Sequence, residues 1–193
     1  MYQYIVPTDS DNMYLKNLLP LFRNLAIKSF KKGDICIPEG ATQQEVFFIR
    51  KGLVRSFYTN EKADETTFFL YPEHHVFGNA HSIFFDEPSK FSYEALEPTK
   101  AYMINYDSYF DVAAKYPQLF ELNRVYFGRR VMKQAFLRVD SFVFLSPEER
   151  YKKYIQDYPN VINRAPDKYI AHILGITPVS LSRIRSRIAS GKN

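Results

Sequence analysis

The apolar positions change period three times along the chain, and each change predicts a different kind of element. Between Asp11 and Leu25, the residues Leu15, Leu18, Leu19, Phe22 and Leu25 recur at helical spacing around Pro20, which predicts a short helix interrupted at the proline. From Ser29 the texture becomes one of short runs rich in Phe, Ile, Val, Tyr and Thr, separated by turn-forming clusters such as KKGD, PEG, RKG, TNEKADE, PEHH, FDEPSK and LEPTK. Many short strands at this spacing predict an antiparallel sandwich or barrel. Within it, VFFIRKGLVRSFY reads as two strands joined at Lys51-Gly52, where glycine supplies the positive φ of a tight hairpin.

Helical periodicity returns after Asp107, and beyond Pro117 the chain runs to Phe144 with no further proline and one glycine. A helix of that length spans roughly 40 Å. Leu119, Leu122, Val125, Tyr126, Met132, Phe136, Val139 and Val143 fall on one broad stripe, with Phe127, Val131, Ala135 and Phe142 nearly opposite. One apolar face can cover the β region, and the other calls for a second partner. A parallel copy of the same helix in a two-fold dimer is the simplest supplier. Arg129 lies within the first stripe and weakens a strict coiled coil.

Ser146-Pro147-Glu148-Glu149 then marks a new start, with Ser as N-cap, Pro at the first helical position and Glu three residues after the cap, so a helix is expected over 147–157. The pattern divides the chain into residues 1–144, a β domain followed by the long helix (about 117–144), and residues 145–193, a small helical domain. The expected class is α+β.

The last segment, PDKYIAHILGITPVSLSRIRSRIA over 166–189, predicts two short helices meeting at Gly175. Ala171 is small enough for close approach, Gly175 suits a left-handed turn, Thr177 caps a second helix beginning at Pro178, and Leu181 and Ile184 supply the packing. This is the spacing of a DNA-binding helix-turn-helix. On the second helix Leu181, Ile184 and Ile188 face the core. Val179, Ser182, Arg183 and Ser186 point away, with Arg187 beside them. Together with Thr177 and Ser180 at the helix start, these are the candidate DNA-contacting residues, since arginine can bridge a guanine edge or meet a phosphate and serine can do either.

Charge sharpens that reading. Of the formal net charge of +5, the stretch from Arg164 onward holds six basic residues (Arg164, Lys168, Arg183, Arg185, Arg187, Lys192) against one acid, Asp167, which leaves residues 1–163 balanced at zero. A positive potential at one end favours a polyanion such as double-stranded DNA. Hydrophobic residues at 46% supply ample core material. A single cysteine, Cys36, is expected as a small strand residue and excludes intramolecular disulfides. No apolar run reaches membrane-spanning length and MYQYIVPTDSDN lacks a signal-peptide pattern, so a cytoplasmic protein is expected. His74, His75 and His81 do not make a facial metal site, because adjacent strand residues point to opposite faces; His74-His75 are expected in a solvated loop. No catalytic constellation and no cofactor site is found, so no enzyme is expected.

With these residues in view, the chain resembles the Crp/Fnr family of transcription regulators, which join a cyclic-nucleotide-binding-type β barrel, a long dimerisation helix and a helix-turn-helix. KKGDICIPEGATQQEVFFIRKGLVRSFY resembles the first half of the barrel, VFGNAHSIFFDEPSKFSYEALEPTKAYMI the phosphate cassette and following strands, and LSPEERYKKYI the hinge into the DNA domain. The resemblance implies an antiparallel double-stranded β-helix (jelly-roll) barrel, a homodimer through the long helix, DNA as partner and RNA polymerase as a candidate partner. It also implies an effector pocket, which maps onto Phe77, Gly78, Asn79, Ser89, Lys90, Phe91, Tyr93, Ala135 and Phe136.

The departures count against cyclic AMP as effector. Family members that bind it place Glu after the Phe-Gly of the cassette, where this chain has Asn79, and an Arg-Ser or Arg-Thr pair where it has Ser89, Lys90 and Phe91. Positions that give hydroxyls to the adenine fall at Ala135 and Phe136. The expected effector is therefore another small molecule or none. Only five residues follow Ile188, so the β wing usual after the recognition helix is expected to be absent. A rival reading is a β-barrel sensor that works through protein partners, with a reduced DNA module.

Overall fold

The computed structural model describes residues 26–106 and 129–190, the side chains of 129–131 and 134 excepted. Among these residues eight strands are formed: β1 (Ala26–Phe30), β2 (Ile35–Ile37), β3 (Glu45–Lys51), β4 (Val54–Thr59), β5 (Glu65–Tyr71), β6 (Val76–Gly78), β7 (Ser92–Ala95) and β8 (Thr99–Asn105). They pair antiparallel into two four-stranded sheets, ordered β1-β8-β3-β6 and β2-β7-β4-β5. Consecutive strands mostly alternate between sheets, as in a jelly roll, and β3 and β4 follow that rule. The turn at Gly52, whose φ of 119° favours glycine, passes the chain from one sheet to the other, so the tight hairpin expected from sequence is not formed.

The space between the sheets is filled by Ile37, Phe47, Ile49, Val54, Phe77, Tyr93 and Ala101. Its centre is aromatic: Phe47 stacks on Phe77 at 4.9 Å between ring centroids, and Phe77 on Tyr93 at 5.7 Å. Cys36 lies on β2 against this core, and burial pushes its thiol up to about 12, so it behaves as a small apolar side chain.

Helix α1 (Ala80–Phe85) sits between β6 and β7. Among the described residues four more follow: α2 (Arg129–Phe144), α3 (Pro147–Asp157), α4 (Asp167–Leu174) and α5 (Pro178–Ala189). The start of α3 matches the expectation from sequence, with Ser146 and Glu149 forming a reciprocal capping box and Pro147 in the first turn. The short helix expected over 11–25, and the earlier part of the long helix with Leu119, Leu122, Val125, Tyr126 and Phe127, lie outside the described residues.

A second core joins the helices to the barrel. Leu53 and Leu70 of the barrel pack with Tyr151, Val161, Ile170, Ala171, Ile173, Leu174, Leu181 and Ile184. Polar contacts ring this apolar patch. Arg55 on β4 is buried between the rings of Phe57 and Tyr169, at 4.1 and 4.2 Å, and donates to Glu65 and Glu94. His172 Nδ1 accepts from the Thr67 backbone N–H at 3.1 Å, a role that requires the neutral ring; burial, with Lys168 and Arg55 nearby, lowers its pKa. Arg164 donates to both Glu73 and Glu97.

The Glu73–Arg164 pair makes the junction acid-sensitive. Burial alone would raise the Glu73 carboxyl, but hydrogen bonds from Arg164 and the Gly52 N–H outweigh it and hold the pKa down at about 2, against 4.5 for the free group. A lowered folded-state pKa stabilises the fold above the unfolded-state value and loses that contribution as pH falls from about 4.5 toward 2. Thermal melts at pH 6 and pH 3 should show a larger acid-induced drop for the native chain than for Glu73→Gln. Equal drops would remove this pair from the acid response.

His75 departs from the sequence reading. It is buried, not solvated, with its ring 5.9 Å from that of Tyr158 and Nδ1 within 3.1 Å of the Glu73 carbonyl oxygen. The positive φ of His74, 64°, turns the chain at this point, which the run Pro-Glu-His-His does not reveal. Among the described residues, no cluster of side chains suits a metal ion and no helix is long and apolar enough to cross a membrane.

Candidate nucleic-acid interface

Local chemistry sets the turn between α4 and α5. Gly175 adopts φ 65° and ψ 36°, and its N–H bonds back to the carbonyls of Ala171 and His172, closing α4. A Cβ here would lie 2.5 Å from Phe142 Cε1, the outer edge of an exposed ring that would have to shift, so the left-handed backbone is the main reason a side chain is disfavoured. Gly175→Ala is expected to lower unfolding stability by about 1–2 kcal/mol, read as a shifted urea midpoint with an unchanged slope. An unshifted midpoint would contradict this account of the turn.

Thr177 then caps α5, accepting from the Ser180 N–H, while its hydroxyl lies 2.9 Å from that of Ser180. Both residues are thereby committed to starting the helix. Leu181 and Ile184 are buried against α4, and Ala171 sits at the crossing with no exposed surface. The opposite face presents Val179, Ser182, Arg183, Ser186 and Arg187 to solvent. At 12 residues, α5 is about 18 Å long and narrow enough for a major groove.

The arginines of α5 are not equivalent. Arg185 donates to Asp167 and to the Tyr151 hydroxyl, holding α5 to α4 and α3. Arg187 donates to Glu148 at 2.9 Å, and Glu148 also meets Lys152. Arg183 has no carboxylate partner among the described residues. It overhangs a groove of about 600 Å³ between α5 and the start of α3, shared with Glu148 and Arg187. A phosphate or base edge would thus meet Arg183 without displacing an acid, whereas Arg187 must first leave Glu148.

The candidate effector residues are scattered by the structure. Phe77 and Tyr93 lie in the barrel core, joined by Tyr71 at 6.0 and 6.1 Å. Burial pushes the Tyr71 hydroxyl up to about 12 and the Tyr93 hydroxyl higher still, so both stay neutral. Asn79 has no exposed surface; its side chain accepts from Ser82 N–H to cap α1 and donates to the carbonyls of Ala41 and Gln43. Gly78 lets β6 approach β3, where a Cβ would meet the Glu45 carbonyl at 2.7 Å. Ser89 bonds to the Phe91 backbone, Phe91 stacks on Phe68, and Lys90 is exposed 4.0 Å from Glu87. Ala135 and Phe136 are exposed on α2, away from this core.

On α2 two faces separate. Arg138 donates to the Phe68 carbonyl and lies over the Phe68 ring at 4.6 Å, tying the helix to β5. Met132, Phe136, Val139 and Val143 form the other stripe, and each is more than half exposed.

Sequence reading did not find Arg55, Glu73, Glu94, Glu97 or Arg164, which weld the helices to the barrel. Their partners lie far away in the chain, and no local pattern announces them.

Comparison with known proteins agrees with this architecture. Residues 27–116 match the family model of the cyclic nucleotide-binding domain. No curated protein matches the chain in sequence. Among solved structures, FixK2 from Bradyrhizobium japonicum is similar with TM-score 0.72 and 18% identity, over 86% of this chain and 85% of that one. A CooA variant from Carboxydothermus hydrogenoformans gives 0.68 and 17%, over 91% and 84%. The c-di-GMP-responsive global regulator CLP of Xanthomonas campestris gives 0.68 and 9%, over 92% of each chain. Residues 27–116 thus match the cyclic nucleotide-binding domain model, and the chain shares its fold with the solved structures of FixK2, CooA and CLP.

Proposed function

We propose that this chain is a DNA-binding transcription regulator of the Crp/Fnr type, acting as a homodimer on a palindromic site. The observation that carries the reading is the exposed face of α5, with Ser182, Arg183 and Ser186 turned outward from a helix pinned at Gly175 and Thr177. In this reading α4 and α5 are a helix-turn-helix, α5 enters the major groove, and residues 145–193 are the DNA domain. Helix α2 supports the dimer: its exposed stripe Met132, Phe136, Val139 and Val143 repeats at four- and three-residue steps, the spacing of a two-helix seam. Two copies would set their α5 helices roughly 34 Å apart, in successive major grooves.

The barrel is the sensor half of the proposal, and cyclic AMP is not its effector. Asn79 is occupied as a helix cap, and Lys90 offers only a point charge where bidentate phosphate recognition would need arginine. The stacked rings of Phe47, Phe77 and Tyr93 support a packed interior, with any effector favouring one arrangement of the dimer over another.

Selection of bound fragments from a genomic DNA library by the purified chain tests the proposal. An enriched palindrome, bound with a steep salt dependence, is the expected result. A folded dimer that retains no duplex at any salt concentration would overturn it in favour of a sensor acting through protein partners.

A further inference from the structure

We propose that Val179 reads the 5-methyl group of a thymine, so that each half-site bound by this chain carries a thymine close to the base met by Arg183. The inference rests on the DNA-binding reading above and adds the chemistry of the site that α5 selects.

Val179 is 61% exposed, and among the described residues of 145–190 it is the one large apolar side chain left exposed. The other apolar residues of α5 are used elsewhere: Leu181 and Ile184 are buried and Ile188 packs at the edge of the same core. Val179 also occupies the helix's first turn, directly after the Thr177 cap and Pro178. In a helix that enters the major groove, the N-terminal residues are the ones that reach base edges.

Neighbouring groups leave Val179 to define the chemistry at that end. The hydroxyls of Thr177 and Ser180 bond to each other and to the helix start. Arg183 lies one turn further on the same face, four residues along, with no acid holding it among the described residues. The exposed strip therefore runs from an apolar end at Val179 to a cationic, hydroxyl-bearing stretch at Ser182, Arg183 and Ser186.

The major-groove floor presents donors and acceptors at every base pair, and its one apolar group is the thymine methyl. Valine has no hydrogen-bonding group. Set against the cytosine amino group it would strand a donor away from water, while set against thymine it buries a methyl. One methyl's worth of burial corresponds to roughly a fourfold change in affinity.

The test uses the full chain and the site it selects from random duplex. Each thymine of a half-site is replaced in turn by deoxyuridine, which removes the methyl and keeps the pairing edge, and affinity is measured for the native chain and for Val179→Ala. The expected result is one position per half-site where uracil weakens native binding roughly fourfold, with no such loss in the variant. Because Val179 is exposed, the variant is expected to fold normally, which its melting temperature verifies. A tightly bound site that is indifferent to uracil at every position, or one equally sensitive in Val179→Ala, would overturn the inference while leaving DNA binding intact. Failure to select any site would overturn the DNA-binding reading itself, and this inference with it.

Discussion

Aspartates at Phe136 and Val139 are expected to yield a folded single chain that has lost its partner copy and about a hundredfold or more of its affinity for a palindromic site. Both side chains are exposed, at 61% and 58%, so neither substitution opens a cavity in the chain that carries it. In a two-fold seam each would instead face its symmetry mate, where paired aspartates exchange apolar burial for like-charge repulsion. The loss on DNA follows from linkage: a second reading helix held by the first gains an effective concentration that typically multiplies affinity by about 10²–10⁴. Light scattering gives the mass and a titration with the selected duplex gives the affinity. A variant that stays dimeric would place the interface elsewhere on the molecule.

Arg183→Ala should weaken binding to the selected site by about 1–3 kcal/mol, a loss of roughly fivefold to 150-fold, with relaxed preference at one base pair. The reason is availability. Arg185 is engaged by Asp167 and Tyr151 and Arg187 by Glu148, while Arg183, on the outward face with Arg187, has no acidic partner among the described residues. Arg183→Lys separates the two roles of the side chain: it keeps the charge and loses the bidentate fork, so it should restore the salt slope but not the base preference. By contrast, Arg187→Ala is expected to weaken binding evenly across sequences, because that group acts on phosphate after leaving Glu148. An unchanged affinity and footprint in Arg183→Ala would remove it from the reader set.

The helical unit was legible because its signals are local. Ser146-Pro147-Glu148-Glu149 encodes a capping box within four residues, and Gly175 with Thr177-Pro178 encodes a helix end and a helix start within another four. At Gly52 the turn was readable for the same reason, but the hairpin was not: β3 and β4 enter different sheets and pair with strands far away in the chain. What escaped was whatever depends on distant partners. Arg164 meets Glu73 and Glu97 across 91 and 67 positions of chain, and His172 accepts from Thr67 across 105, with no periodic mark at either end. Asn79 shows a different limit: resemblance placed it among effector contacts, while the structure uses it to cap α1, a short helix hidden inside strand-like texture. His75 was misplaced because a turn at His74 carries it inward beneath Tyr158.

The most direct check on the central claim is guanine N7 methylation interference across the selected fragment, since N7 lies on the major-groove edge where α5 is placed. The account predicts two patches of interference related by two-fold symmetry, with centres about one helical turn, roughly 34 Å, apart. Interference confined to a single patch, or absent from a fragment that is nevertheless bound, would contradict it.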